Sequence, residues 1–290
     1  MSELLQHAVD AVVLGGTYAL LGIGLTLIFG IMRVVNFTHG ELYTFGAYMI
    51  YMLASLLGLN FFAAVALAGV LGFALGAVLE FVLLRPLKGA DIDTTMLVMI
   101  GASIALQASE QLGWGGVAKS VSTPFANAPL VFGTVSVLPL RLFVLGTSVL
   151  LLIGFYLLIA RTKLGIAMRA TFQDHDTAAL MGVNNGLIYT LTFAIGSALA
   201  AIAGALLGPV FVITPTMGNL VALKAFAIVI LGGLGNTVGA TIGGFVLAFA
   251  EEFGAAYISS GYRDAIGFLL IILVLLARPQ GLFAAKERVG

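Results

Sequence analysis

Long stretches without charge constrain this chain more than any other feature of its sequence. Residues 142–160 and residues 177–223 contain no Asp, Glu, Lys or Arg. Charged residues make up 9% of the chain and hydrophobic residues 61%, whereas soluble domains carry roughly 25% charged residues. A soluble core could not hide this much apolar surface, so lipid must surround most of it.

The apolar blocks are long enough for membrane-spanning helices, which need about 20 apolar residues. The block at 221–258 is too long for one span, and its glycine-rich segment 232–244 predicts a break. Runs this uniformly apolar lack the alternation of a membrane β-barrel. We therefore expect an all-α, polytopic integral membrane protein with eight or nine transmembrane helices, some of them broken or re-entrant, in one domain of residues 1–290. The candidate blocks are 11–31, 42–57, 61–84, 94–112, 142–160, 187–213, 221–258 and 265–277.

Basic side chains predict which loops face the cytoplasm, because cytoplasmic loops of membrane proteins are enriched in Lys and Arg. All the basic clusters share one side if block 221–258 crosses twice, which predicts nine spans and an outer N-terminus. Eight spans with one re-entrant segment are the alternative. The loop at 161–186 is then cytoplasmic, and the loop at 113–141 is an outer loop with extended or hairpin structure. The clusters are Arg85 and Lys88; Arg161, Lys163 and Arg169; and Arg278, Lys286 and Arg288.

Small residues recur at every fourth position in several apolar blocks. In lipid the hydrophobic effect contributes little to helix–helix association, so helices associate through the van der Waals contacts that close backbone approach allows. We expect these faces to be packing surfaces, and an alternative is that some slide against a partner during gating. The predicted packing positions are Gly196, Ala200, Gly204 and Gly208; Gly235, Gly239 and Gly243; and the shorter pair Gly72 and Gly76.

Polar residues inside the membrane zone mark candidate pathway positions. Two segments, 27–49 and 229–249, place polar residues and glycines between apolar helices, and broken helices often mark a transporter's pathway. The segment after the first block is either a hydrated cytoplasmic turn or a bent, embedded segment in which Arg33 pairs with a carboxylate. Lys224 either extends to the membrane surface or faces a carboxylate of the chain or the carboxyl group of a substrate. The candidate lining residues are Asn36, His39, Glu41, Lys224 and Asn236.

The sequence lacks the groups that common membrane enzymes use. It contains no cysteine, so a thiolate metal site and a cysteine nucleophile are excluded. It has no phosphate-binding loop and no H-E-x-x-H motif, and no paired acid and base sit in a plausible active site. With zero net charge, nucleic acid is not an expected partner. We expect no enzyme, no metal and no cofactor in this chain.

Three stretches together identify a family. GLTLIFGIMRVVNFTHGELYTFGAYM (24–49), RATFQDHDTAALMGVNNGLIYTLTFAIGSALAAIAGALLG (169–208) and LKAFAIVILGGLGNTVGATIGGFVLAFAE (223–251), with the closing ARPQGLF (277–283), occur in order along the chain. They resemble the permeases of branched-chain amino acid ABC transporters, of the LivH type. The resemblance is less specific for the substrate, because relatives are associated with other amino acids, urea and short amides.

The resemblance implies a multi-pass importer subunit in the bacterial inner membrane. Its implied partners are a homologous second permease, two ATP-binding cassette ATPases that hold ATP and Mg, and a periplasmic substrate-binding protein. The polar loop 161–186 would supply a coupling helix that docks into the ATPase, with Asp174, Ala178, Ala179 and Gly182 matching its core and Arg169 anchoring it. An ATP-independent secondary transporter is the alternative class.

Overall fold

The computed structural model describes residues 2–278 and 280–283, and it is almost entirely helical. Lys286 and Arg288 of the last basic cluster lie outside these residues. Two short strands, β1 (Leu130–Phe132) and β2 (Val135–Val137), form the antiparallel hairpin expected in the outer loop. The helices of the described residues are α1 (Ser2–Met32), α2 (His39–Ile50), α3 (Phe61–Leu79), α4 (Ile92–Trp114), α5 (Pro139–Arg161), α6 (Lys163–Gln173), α7 (His175–Leu180), α8 (Asn185–Leu207), α9 (Met217–Gly232), α10 (Thr237–Tyr257) and α11 (Arg263–Ala277).

Side-chain caps explain where many of these helices begin. The side chain of Asn60 accepts hydrogen bonds from the first backbone N–H groups of α3, and that of Asp91 does the same for α4. Thr162, Asn184 and Asn236 cap α6, α8 and α10 in the same way. Such caps satisfy donors that have no partner within the helix. Polar residues between the apolar blocks therefore set the helix boundaries.

The helices meet the expectation of a polytopic membrane protein. Within the described residues, seven helices are long and apolar enough to span a membrane. The shorter helices α2 and α9 lie at the segments predicted to be broken: α2 continues as a π-helical turn, Tyr51–Leu56, and α9 ends before a turn at 233–236. The all-α membrane fold with broken segments is confirmed.

The helices alternate between two ends of the bundle. The ends of α1 and α3 that carry Arg33 and Arg85 lie beside α6, and Gly235 in the α9–α10 turn lies against Phe172 of α6. The segment after α11 joins this end, where Leu282 N donates to Leu231 O. We call it the basic end, and the opposite end, with the β-hairpin, the hairpin end. The described residues of the three predicted basic clusters thus share one side, as the predicted nine-span topology requires: Arg85 and Lys88; Arg161, Lys163 and Arg169; and Arg278.

Helices α1, α2, α8, α9 and α10 form the centre, and α8 packs against α1, α2 and α3. Small residues of α8 make these contacts, as the four-residue spacing predicts. A Cβ on Gly196 would lie 2.7 Å from Gly24 O of α1, and a Cβ on Gly204 would lie 1.9 Å from Tyr43 O of α2. Ala200 is fully buried, and Gly208 ends α8 as its C-cap.

The second predicted glycine series is only partly helical. Gly239 and Gly243 press α10 against α9, where added Cβ atoms would lie 2.0 Å from Gly232 O and 2.7 Å from Ile228 O. Gly235 is not on this helix face: it lies in the turn before α10, with a φ of 81°. The sequence spacing therefore included Gly235 for a reason unrelated to helix packing: the turn needs a glycine at this position because the backbone there has a positive φ.

Replacing Gly204 by Ala is expected to disrupt the α2–α8 contact. The new methyl group would overlap Tyr43 O, and such overpacking costs about 1–3 kcal/mol. Gly154→Ala on α5 is the matched control, because a Cβ there meets no atom within 4 Å and alanine favours helix over glycine by about 1 kcal/mol. Thermal unfolding of the two purified variants measures the difference; equal melting temperatures would contradict the packing role.

Candidate functional site

The break between α1 and α2 brings three of the predicted pathway residues into the interior. Asn36 Oδ1 accepts hydrogen bonds from Thr38 N at 3.0 Å and Thr38 Oγ1 at 2.6 Å, which fixes the turn before α2. His39 Nε2 lies 3.0 Å from Leu21 O in the middle of α1. Helix α2 therefore begins deep inside the bundle. Arg33 has a φ of 54°, is exposed and lines a cavity at the basic end.

Glu41, in the first turn of α2, is 1% exposed. Its Oε1 accepts a hydrogen bond from Ser103 Oγ of α4 at 3.4 Å, and its Oε2 has no protein partner among the described residues. Helix α9 begins directly against it: a Cβ on Gly218 would lie 2.7 Å from Glu41 Oε2. The backbone N–H groups at the start of a helix carry partial positive charge, so the start of α9 presents that partial charge to Glu41.

A second buried carboxylate, that of Glu110, lies on the face of α4 that also carries Ser103. Glu110 is 3% exposed, and neither of its carboxylate oxygens has a protein partner in the described residues. Tyr48 of α2 is also fully buried with an unpartnered hydroxyl, and its ring stacks on Trp114 at a centroid distance of 4.9 Å. Buried polar groups without partners are costly, so this arrangement needs an explanation.

Lys224 does not join these residues. Its Nζ lies 2.9 Å from Glu251 Oε2 and 2.8 Å from Asp264 Oδ1, and Tyr18 OH donates to Glu251 Oε2 at 2.8 Å. The cluster connects α1, α9, α10 and α11. Of the two predicted roles for Lys224, the one facing carboxylates is therefore confirmed. Beside this cluster, Arg263 of α11 pairs with Glu252 of α10.

Asn236 also lies apart from the other candidate pathway residues. Its Oδ1 accepts from Gly239 N at 3.0 Å, and its Nδ2 donates to Phe283 O at 2.7 Å. The side chain thus caps α10 and holds the chain after α11 at the basic end. Of the five predicted lining residues, the structure brings together Asn36, His39 and Glu41 only.

The polar loop 161–186 folds into helices α6 and α7 at the basic end. Arg169 of α6 donates a hydrogen bond to Ile159 O in the last turn of α5, a favourable place for a cation. Gly165 makes the corner between α5 and α6 very tight, since a Cβ there would lie 2.3 Å from the same Ile159 O. Arg169 thus holds α6 against the end of α5.

Asp174 separates α6 from α7 and caps α7. Its Oδ1 accepts from Asp176 N at 2.9 Å and from Thr177 N at 3.0 Å, while Thr177 Oγ1 donates to Oδ2 at 2.8 Å. The hydrogen bond from the Thr177 backbone, followed by the one from its side chain, lowers the pKa of Asp174 below its ordinary value. Asn185 Nδ2 of α8 donates to His175 O at 2.7 Å, so α7 is also joined to α8.

The end of α7 presents apolar side chains outward. Ala178 is buried within the chain, whereas Ala179 is exposed and Leu180 and Met181 are 87% and 82% exposed. Gly182 follows with a φ of 87° and ends the helix, as predicted. Ala178 therefore packs inside the permease, and the outward surface consists of Ala179, Leu180 and Met181. We call these three residues the apolar tip.

A cavity of about 940 Å³ opens at the basic end between α6–α7 and the ends of α1, α3 and α8. Arg33, Arg85 and Lys88 line one part of it, and Asp174 and Tyr189 line another. The loop that carries the apolar tip thus forms one wall of a polar vestibule. A displacement of this loop would change the shape of the vestibule directly.

Sequence reasoning missed several of these residues. Glu110, Trp114, Tyr48 and the Leu180 and Met181 side chains of the apolar tip were not among the candidate site residues. The spacing of Ser103, Gln107, Glu110 and Trp114, four, three and four residues apart, could have indicated a polar face on α4. The apolar tip had no such signal, because in so apolar a chain two further apolar residues stand out only once their exposure is known.

Removal of the α7 cap is expected to destabilise helix α7, which carries the apolar tip, without unfolding the bundle. In Asp174→Ala the backbone N–H groups of Asp176 and Thr177 lose their acceptor, so α7 should fray and exchange its amide protons faster. Asp176→Ala is the matched control, because no main-chain donor depends on its side chain. Hydrogen exchange of peptides covering 174–182 measures the effect, and equal exchange in the two variants would contradict the capping role.

The same cap predicts a direction of pH dependence. A carboxyl whose pKa is lower in the folded state contributes stability above its unfolded pKa and loses that contribution as the pH falls through the folded value. Protection of α7 should therefore be constant near neutral pH and decline only below the ordinary aspartate range. In Asp174→Asn this decline should be absent; an unchanged acid profile would show that another group controls α7.

Comparisons with known proteins match nearly the whole chain. The family described as branched-chain amino acid transport system / permease component matches residues 8–275. The chain is 38% identical over 299 residues to the high-affinity branched-chain amino acid transport system permease protein BraD of Pseudomonas aeruginosa, covering 98% of this chain and 96% of that protein. It is 35% identical over 302 residues to the permease protein LivH of Escherichia coli K12, with the same coverage.

A different permease of the same bacterium is also similar. The chain is 26% identical over 306 residues to the high-affinity branched-chain amino acid transport system permease protein LivM of Escherichia coli K12, covering 96% of this chain and 70% of that protein. One bacterium thus has two permeases, named for one transport system, that both resemble this chain. No solved structure matches the chain significantly.

Proposed function

This chain belongs to the family of permease components of branched-chain amino acid transport systems, and we propose that it is one transmembrane subunit of an ATP-binding cassette importer for branched-chain amino acids in the bacterial inner membrane. The relatives are transport permeases, and the chain is likewise a multi-pass membrane transport subunit rather than an enzyme. The energy source, the assembly and the direction of transport are the proposed parts.

The apolar tip is the observation that carries the proposal. Leu180 and Met181 are almost fully exposed, yet they lie in the polar loop at the basic end, outside the apolar blocks. Large apolar side chains exposed at the end of a polar helix mark an interaction surface. A separate ATPase that receives the tip would bury both side chains, and it would supply the ATP and Mg that this chain has no motif to bind.

Two connections can transmit motion from the tip to the bundle. Arg169 joins α6 to the end of α5, and Asn185 joins α7 to the start of α8. Helix α8 in turn packs against α1, α2 and α3. A movement of the tip therefore reaches the central helices through α8, including the interrupted helices α2 and α9. Such interruptions supply backbone that can change conformation within the membrane.

We propose that a homologous permease completes the pathway. The existence of two similar permeases in Escherichia coli K12 supports a pair of related subunits. The predicted ATPase dimer would then act on two loops, one from each permease. A periplasmic binding protein would deliver the amino acid at the hairpin end and would supply most of the substrate selectivity, because the central helices of this chain are mostly apolar.

Reconstitution tests the proposal against the alternatives. Proteoliposomes containing this chain, its sister permease, the two ATPases and the binding protein should import leucine only when ATP is present on the ATPase side. Leucine uptake by this chain alone, driven by a proton or sodium gradient, would contradict the ATP-driven mechanism. Uptake of urea or acetamide without uptake of leucine would contradict the substrate class while leaving the importer architecture intact.

A further inference from the structure

The buried carboxylates between α2 and α4 have no explanation in the packing of this chain. Among the buried side-chain atoms without a protein partner in the described residues, the carboxylate oxygens all belong to Glu41 and Glu110. Other buried glutamates are satisfied: Glu80 accepts from Thr190 Oγ1 at 2.5 Å, and Glu251 pairs with Lys224 at 2.9 Å. The unpartnered carboxylate oxygens of the described residues are thus confined to one seam between α2 and α4, which we call the acidic seam.

The acidic seam has two levels. On α2, Glu41 and Tyr48 are seven residues apart, and on α4, Ser103 and Glu110 are seven apart. Seven residues are two helical turns, or roughly 10 Å, so each pair shares one helix face. Ser103 bonds to Glu41 at the deeper level, and Glu110 lies near Tyr48 and Trp114 toward the hairpin end.

The unpartnered Tyr48 hydroxyl points to a ligand independently of the carboxylates. It is fully buried, and its oxygen can accept as well as donate, so together with Glu41 Oε2 and both Glu110 oxygens it leaves hydrogen-bonding capacity unused in the described residues. A buried negative charge is tolerated when it is paired. A cation is therefore the chemical class that completes the seam.

We infer that the acidic seam binds the ammonium group of the amino acid, first at Glu110 and then at Glu41, as the substrate crosses the outer half of the permease. The inference rests on the proposed function. An ammonium group carries three donors and no acceptor, so it fits a site in which carboxylate oxygens without partners predominate. A calcium ion would need six to eight oxygens around one point, whereas these acceptors are distributed over two levels.

The start of α9 lies directly against the deeper level of the seam. Gly218 allows this close contact, since a Cβ there would lie 2.7 Å from Glu41 Oε2 and equally close to Thr44 Oγ1. Because α9 has no side-chain cap, the positive end of this helix faces Glu41. That end would attract the carboxylate of the zwitterion while the ammonium group binds the seam.

Ligand-induced stabilisation of the purified permease pair tests the inference. Leucine should raise the melting temperature of the wild-type pair, and 4-methylpentanoate, which lacks only the ammonium group, should not. The leucine shift should disappear in Glu41→Gln and in Glu110→Gln and persist in Glu80→Gln, a buried glutamate on α3 with a protein partner. An absent shift in wild type, or a full shift in both seam variants, would overturn the inference. Sodium or calcium chloride producing the same Glu41-dependent shift would assign the seam to an inorganic cation instead.

Cysteine labelling supplies a measurement that does not depend on the carboxylate variants being stable. The chain has no cysteine, so Ser103→Cys introduces a single thiol beside Glu41. A cationic methanethiosulfonate reagent should modify this thiol about tenfold faster than an anionic reagent of similar size. The carboxylates of the seam attract the cationic reagent and repel the anionic one. Leucine should slow the cationic reaction, and 4-methylpentanoate should not. Equal rates for the two reagents, or no protection by leucine, would overturn the inference.

Transport assays separate this inference from the proposed function. If wild-type proteoliposomes import leucine with ATP but Glu41→Gln and Glu110→Gln import it at the wild-type maximal rate, the seam assignment fails and the importer assignment stands. If the seam is correct, both variants should lose at least tenfold in maximal rate, while leucine binding to the isolated periplasmic protein is unchanged. If the wild-type proteoliposomes do not import leucine with ATP, the proposed function itself is contradicted.

Discussion

Replacing Lys224 by Met should destabilise the permease more than any other single change considered for its interior. Lys224 is 12% exposed and holds the charge of Glu251, which is 1% exposed. Removing one partner of a buried pair leaves an uncompensated charge and costs about 3–5 kcal/mol. We expect Lys224→Met to lower the melting temperature and the yield of folded protein strongly, as measured by thermal unfolding in lipid nanodiscs.

Removing the second charge should reverse most of this loss. In Lys224→Met/Glu251→Gln no buried charge is left unpaired at this position, and Tyr18 can still donate to the glutamine side-chain oxygen. Lys163→Met is the matched control, because Lys163 is exposed and surface changes stay within about 0.5 kcal/mol. If the double variant melted no higher than Lys224→Met, the loss would come from packing rather than from the isolated charge.

Charge placed on the apolar tip should abolish ATPase association while leaving the permease folded. Leu180 and Met181 are almost fully exposed within this chain, so Leu180→Asp and Met181→Asp remove no internal packing. Burying a carboxylate against an apolar surface of the ATPase would be strongly unfavourable. We expect ATPase binding, measured by co-purification, to fall at least about 100-fold, which corresponds to about 2.7 kcal/mol. ATP-dependent leucine uptake should fall with it.

Val131→Asp is the matched control for the tip. Val131 is similarly exposed but lies in strand β1 of the hairpin, at the opposite end of the bundle. The control should retain ATPase association. Unaltered association in both tip variants would show that the ATPase docks elsewhere, and the coupling role of α7 would have to be abandoned. Both variants should keep the wild-type melting temperature, which separates lost docking from lost folding.

Much of the fold follows from local features of the sequence. The apolar blocks predict the long helices, and the glycine-rich break after Gly232 separates α9 from α10 as expected. The family resemblance identified the transport class, which the similar permeases confirm, whereas the coupling role of loop 161–186 stays a prediction. The predictions of helices and breaks succeed because helix length and helix breakers act locally along the chain. The capping role of Asn236 has the same local origin, although its tie to Phe283 does not.

Partners across the bundle were much less predictable. Nothing near Lys224 in the sequence indicates that Glu251 and Tyr18 would surround it, because the three residues lie on different helices. Ala178 and Ala179 look equivalent as neighbouring small residues, yet the first faces the bundle and the second faces outward. A period of 3.6 residues assigns relative faces within one helix, but which face points inward depends on how α7 is joined to α6 and α8.

The tight corner between α5 and α6 has a mechanical consequence. Gly165 sits against Ile159 O, and Arg169 binds the same carbonyl group, so a displacement of α6 should be transmitted to the end of α5. Most of α5 is exposed on the surface of this chain, so few contacts within the chain oppose its movement. If an ATPase acts on loop 161–186 as proposed, a displacement of that loop should therefore tilt α5.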